Sequence, residues 1–191
     1  MIVEIIVTAS IQGDLEYMPR LFTAIRELKT SLPHKALLID TGQSASDESP
    51  ICIMTENRAP YIVMDAMGYH FAFDDSMSLD NRERVQPDVQ LRLIDSREEA
   101  IVMLGAFQLL VKCDPSAPID QARIENGILI LPQPQKNTIL HLTLAVDTMR
   151  ITQTSITMVN DDTLPDSTIA GTIEFVIGEA RYYQKKRGGT S

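Results

Sequence analysis

The sequence predicts a layered α/β sandwich with a more antiparallel C-terminal half. Three observations carry this. Up to residue 73, apolar strand-like runs alternate with amphipathic helical stripes, the order of β-α-β units with parallel pairing and right-handed crossovers. Beyond residue 88 the runs are short, β-branched and separated by turn residues, as antiparallel strands require. The chain has 191 residues and 44% hydrophobic content. That suits a single domain over 1–191, with a core that needs neither disulfides nor metals.

Residues 2–8 form a β-branched run suited to a strand covered on both faces. A loop follows through Gly13. Met18, Leu21, Phe22, Ile25 and Leu28 recur at three and four, which predicts a helix over 18–30 with Pro19 in its first turn. A second strand is expected over 35–40, then a polar, flexible stretch over 42–50. A helical stripe over 57–67 ends at Gly68, a plausible C-cap, and 71–73 reads as a third strand. Later strands are expected over 89–93, 100–104, 107–113, 128–131, 138–146 and 150–158, with 147–149 as a hairpin turn. A helix over 96–110 competes with the strand pair there. Pro165 and Asp166 open a terminal helix carrying Ile169, Ile173, Phe175, Val176 and Ile177.

A net charge of −9 opposes nucleic-acid backbones and anionic membranes, so neither is an expected partner. Lys185, Lys186 and Arg187 read as a solvated helix end. Cys52 and Cys113 lack CxxC spacing and read as buried thiols. The opening strand carries no basic leader and no run suits a bilayer, so a cytoplasmic location is expected.

Several segments resemble a known family. Residues 8–16 (TASIQGDLE) are similar to the first motif of calcineurin-like metallophosphoesterases of the 5′-nucleotidase branch, whose first strand ends in Asn-Asp-x-His-Gly. Residues 37–43 (LLIDTGQ) resemble that family's second strand and Gly-Asp turn. Residues 58–69 (RAPYIVMDAMGY) resemble the helix leading to its third motif, and 127–147 with 164–169 its late strands and the segment after them. The likeness is strongest through Tyr69 and weak over 80–126, where the family has many more residues. The fold it implies is the metallophosphoesterase sandwich, shortened.

The ligands that the resemblance implies are missing. Ser10 stands where the first Asp would be, Gln12 where the His would be, and Gln43 where the bridging Asp would be. The Asn-His pair falls near Ser76 and Met77, and 114–125 holds no histidine for the late motif. Gly13 and Gly42 remain, as turn residues. A binuclear centre needs anionic carboxylates and imidazoles to offset cation repulsion, and neutral amides and hydroxyls do not supply that. No cofactor is therefore expected.

Other constellations are weak. His34, His70 and His141 are scattered and read as structural or solvent-facing. Asp74, Asp75 and Asp80 could form a weak cation site or a solvated turn, and Asp40 suits orienting loop amides. No Walker loop, GxGxxG or activated nucleophile is signalled. Two readings follow. One is a non-catalytic binding or interaction module with a residual pocket at Ser10, Gln12, Gly42, Gln43 and Ser76, suited to a small polar or phosphate-bearing ligand, with homodimerisation left open. The other is a divergent phosphoesterase whose relocated site uses Asp40, Asp74, Asp75 and Asp80. A third, pure assembly through an exposed sheet edge, is also open.

Overall fold

Two β-sheets pack face to face in a computed structural model that describes residues 1–74, 77 and 79–188. The larger sheet has the order β10-β9-β1-β2-β3-β4. Its parallel block comprises β1 (Ile2–Thr8), β2 (Ala36–Asp40), β3 (Phe71–Asp74) and β4 (Arg92–Asp95), with β9 (Thr138–Ala145) and β10 (Arg150–Met158) added antiparallel on the β1 side. The smaller sheet, β5-β6-β8-β7, comprises β5 (Ala100–Leu104), β6 (Phe107–Asp114), β7 (Arg123–Glu125) and β8 (Ile128–Pro132).

Alternation along the strands creates two cores. Val3, Ile5, Val7, Phe71, Phe73, Leu140 and Leu142 point between the sheets and meet Leu109, Val111, Leu129 and Leu131. Phe71 and Phe73 pack edge to face there, 5.8 Å between ring centroids. On the opposite face Ile6, Leu38, Ala72 and Ile139 meet a helix layer. That layer consists of α1 (Met18–Ser31), α2 (Pro50–Met54), α3 (Arg58–Ala66) and α5 (Ser167–Gly188), with α4 (Leu79–Val85) following β3. Each fully buried Leu or Ile contributes about 1.5–3 kcal/mol, so β1, buried from Val3 onward on both faces, anchors the whole.

Local chemistry sets the boundaries. Pro19 begins α1 where a missing N–H costs nothing. Gly68 closes α3 at φ 78°, donating to the Asp65 carbonyl. Asp166 caps α5, its Oδ1 accepting the N–H groups of Thr168 and Ile169 at 2.9 and 3.1 Å. Ile169, Ile173 and Val176 are buried, whereas Phe175 is 64% exposed.

Two expectations are corrected and one choice between alternatives is decided. The strand expected over 89–93 begins at Arg92, because the Asp65 carboxylate holds the N–H groups of Gln90 and Leu91 in a loop. The stretch after Gly42, expected to be polar and flexible, packs into the molecule, with Ser44 and Ala45 buried, and leads into α2. The strand pair expected over 100–104 and 107–113 is present and the competing helix over 96–110 is not, since β5 and β6 pair antiparallel from Ala100↔Val111 to Leu104↔Phe107. β7 and α4 were not expected at all.

Candidate functional site

The tips of β1 and β2 are closed by two turns zipped to each other. Thr41 N–H donates to Thr8 O, Ser10 N–H to Gly42 O, Gln12 N–H to Gln43 O and Gly13 N–H to Ser44 O, all at 2.8–2.9 Å. This lattice forces left-handed backbone at Ser10 (φ 60°), Gln12 (φ 55°), Gly13 (φ 73°), Gly42 (φ 117°) and Gln43 (φ 56°). For Ser and Gln that conformation costs of order 1–3 kcal/mol each, a strain concentrated where ligand-holding turns occur. Gly13 has no alternative, because a Cβ there would lie 2.5 Å from the Cys52 sulfur.

Asp40 holds the turns from beneath. It is fully buried. Its Oδ1 accepts the Gly42 N–H at 3.0 Å and the Ser44 hydroxyl at 2.7 Å, and its Oδ2 accepts the Thr8 hydroxyl at 3.1 Å. Thr8 gives its single proton to Asp40, so the Tyr69 hydroxyl, 2.8 Å away, donates to Thr8. Burial first, then the Asp40 charge, pushes the Tyr69 phenol well above its ordinary range, so that proton stays. Asp40 orients loop amides, as the sequence suggested.

The turn residues above that base, Ser10, Gln12, Gly42 and Gln43, are neutral. Gly42 is buried, Ser10 is half-buried and donates to Pro134 O at 3.0 Å, and the Gln12 and Gln43 side chains are exposed. The segment after β8 lies against them, with Thr41 Oγ1 donating to Pro132 O and Gln133 Nε2 to Thr41 O. It contributes Lys136, whose ammonium sits 2.6 Å from Asp14 Oδ2 and 5.6 Å from the Tyr17 ring centre. Gln133 and Lys136 were missed in the sequence. The available signal was a polar Pro-Gln-Pro-Gln-Lys run directly after an apolar strand.

Among the described residues, the alternative carboxylates Asp40, Asp74 and Asp80 do not form a group placed to hold a metal ion. Asp74 is fully buried and accepts Tyr61 Oη at 2.9 Å, the Met77 N–H, and Arg82 at 3.3 Å. Arg82 also reaches Asp95, the register partner of Asp74 on β4, and Arg97 closes on Asp95 at 2.6 and 2.8 Å. Those Arg97 bonds, with Arg82 adding to them, hold the Asp95 carboxyl far below the usual range. Asp80 is exposed on α4. Ser76 and Asp75 lie outside the described residues. Among the described residues, no group of three or more His, Cys, Asp and Glu is placed to hold a metal ion. The residues present therefore do not fit the binuclear centre that the resemblance implies: Ser10, Gln12 and Gln43 carry no charge, and Asp40 is bound to protein donors.

One further cluster lies away from the tips. His141 is buried at mid-strand, with Nε2 2.9 Å from Glu4 Oε2 and Nδ1 3.2 Å from Ser155 Oγ, and Thr143 donates to the same Glu4 oxygen at 2.8 Å. These groups satisfy one another across β1, β9 and β10 and form a structural cross-tie. Two cavities, of about 510 and 460 Å³, lie on the helix layer and include no residue of the strand tips. The backbone and donor arrangement, not cavity size, marks the tips as the candidate site.

A parallel block extended by antiparallel strands, packed on a second sheet, with turns at the tips of β1 and β2, is a metallophosphoesterase-like fold. The chain is similar to the sulfate thiohydrolase SoxB of Thermus thermophilus (TM-score 0.67, 8% identity, covering 93% of this chain and 60% of that one). It is equally similar to a 5′-nucleotidase precursor from the same species (TM-score 0.68, 7% identity, 95% and 59%). The calcineurin-like phosphoesterase YfkN of Bacillus subtilis matches at TM-score 0.60 and 11% identity, over 95% of this chain and 98% of that one. The chain thus spans about three fifths of the length of the first two. No family model and no curated protein matches the sequence. No described helix is long and apolar enough to cross a membrane.

Proposed function

We propose that this chain is a non-catalytic binding module on a metallophosphoesterase-like scaffold, holding a small polar or phosphate-bearing ligand at the tips of β1 and β2. One observation carries the reading. Asp40 is turned inward to brace the two turns, while the groups facing outward there are the Gln12 and Gln43 amides. Strained turns with outward amides suit hydrogen bonding to neutral or phosphate oxygens better than they suit ion coordination. Lys136 adds a cation beside them, partly offset by Asp14. Ser76 completes the proposed set by its place in the sequence.

The test is an NMR titration with inorganic phosphate and with AMP, run beside a manganese-loading measurement and an AMP hydrolysis assay. Shifts confined to the amides of residues 10–13, 42–44, 133, 135 and 136, without metal-dependent turnover, support the proposal. Stoichiometric manganese together with turnover defeats it. That outcome favours the alternative, a divergent metal-dependent phosphoesterase with a relocated site on Asp40, Asp74, Asp75 and Asp80. Absence of any shift at the tips also defeats the binding reading.

A further inference from the structure

We infer that β10 is a self-association edge, on which a second copy of this chain adds its own β10 antiparallel and joins the two larger sheets into one. The four sheet edges are treated differently. β4 has four residues and carries Arg92 and Asp95, and β7 has three and carries Arg123 and Glu125. β5 has five, and the Arg92 guanidinium bonds its Ile101 carbonyl at 2.7 Å. Short length and edge charges are the usual defences against strand addition. β10 has nine residues, and Arg150, its first, is its only charge. Its one bulge falls between Ile151 and Gln153, leaving 153–158 regular. Ile156 and Met158 are 44% and 58% exposed.

Hydrogen-bond parity shows which groups are offered. Val159 N–H donates to Asn137 O at 2.8 Å, and the register places Thr157 opposite Ile139 and Ser155 opposite His141. In an antiparallel ladder the bonded pairs alternate, so the odd-numbered residues face β9. The N–H and C=O groups of Thr154, Ile156 and Met158 therefore point away from the sheet. Charge decides for a second copy as the occupant. In a two-fold antiparallel pair centred near Ser155, with the bulge counted, the exposed Arg150 of each copy comes opposite residue 159 of the other, close to the exposed Asp161 and Asp162. The complementary contact is made twice, within a chain whose net charge of −9 otherwise repels its copy.

This inference is independent of the proposed ligand site, which lies at the strand tips and not at the sheet's flank. The test is sedimentation velocity over a concentration series with the full chain. A dimer is expected for the wild type, and Ile156→Pro is expected to abolish it while keeping the far-UV spectrum and thermal midpoint. Proline there removes an N–H that the monomer's ladder does not use. As a second route, Arg150→Glu should weaken association about tenfold, and adding Asp161→Lys with Asp162→Lys should restore it. A wild type that stays monomeric overturns the inference, including the case where the edge serves an extended segment of another protein. So does a folded Ile156→Pro variant that remains dimeric, or, should that variant not fold, an Arg150→Glu variant with unchanged association.

Discussion

The tips of β1 and β2 and the tips of β3 and β4 lie along one edge of one sheet, yet opposite chemistry closes them. At the first pair a single buried carboxylate, Asp40, receives neutral donors from Thr8, Gly42 and Ser44. At the second pair two carboxylates, Asp74 and Asp95, share one guanidinium, Arg82, with Arg97 added from outside. Parallel strands deliver carboxylates to this edge in both places. What differs is the partner, and the partner decides whether the edge stays free to bind. The Arg82 clamp occupies its carboxylates with charge. The Asp40 brace leaves the turn surface to amides.

Removing the key residue from each side breaks the comparison in a graded way. Arg82→Ala leaves Asp74, which is fully buried, without its cation, and should cost about 3 kcal/mol in urea unfolding. Asp40→Asn keeps one acceptor but turns an amide N–H₂ toward protein donors, and should cost about 2 kcal/mol. Arg82→Ala should leave phosphate shifts at residues 10–13 intact, whereas Asp40→Asn should erase them. An equal effect of both variants on those shifts would dissolve the distinction between the two sides.

A smaller effect comes from the start of β3. His70 Nδ1 accepts the Leu38 N–H at 3.0 Å, and burial, followed by the Lys29 charge, lowers the pKa of the ring. The folded state thus binds a proton less readily than the unfolded chain, whose His titrates at about pH 6.5. Stability from this group is complete above that value and falls as pH drops through the lowered folded pKa. Unfolding midpoints measured for wild type and His70→Gln between about pH 7.5 and 5.5 should converge toward the acid end. A wild-type midpoint that rises on acidification would contradict the assignment.

Much of this was legible in the sequence, for stated reasons. β1, α1, β2, α3 and β9 announce themselves through long apolar periodicities, since burial on one or both faces leaves the residue types little choice. The neutral turn was legible because Ser10, Gln12 and Gln43 occupy positions where a metal site needs charge. Elements held by single polar contacts were not. β4 was placed too early because nothing in the sequence reveals that Asp65 captures Gln90 and Leu91. α2 is only five residues long, too short to show a helical period. The tie from Glu4 through His141 to Ser155 joins residues 137 and 14 positions apart, a separation no local pattern records.

The two thiols of the chain acquire a role from where the turns rest. Cys52 is fully buried directly under Gly13, and Cys113, 4% exposed, donates to the Thr41 carbonyl. Each thiol touches one of the zipped turns, so lifting that turn would uncover part of it. Labelling rates at these two native cysteines would therefore report on the opening of the strand tips from within, with no residue introduced for the purpose.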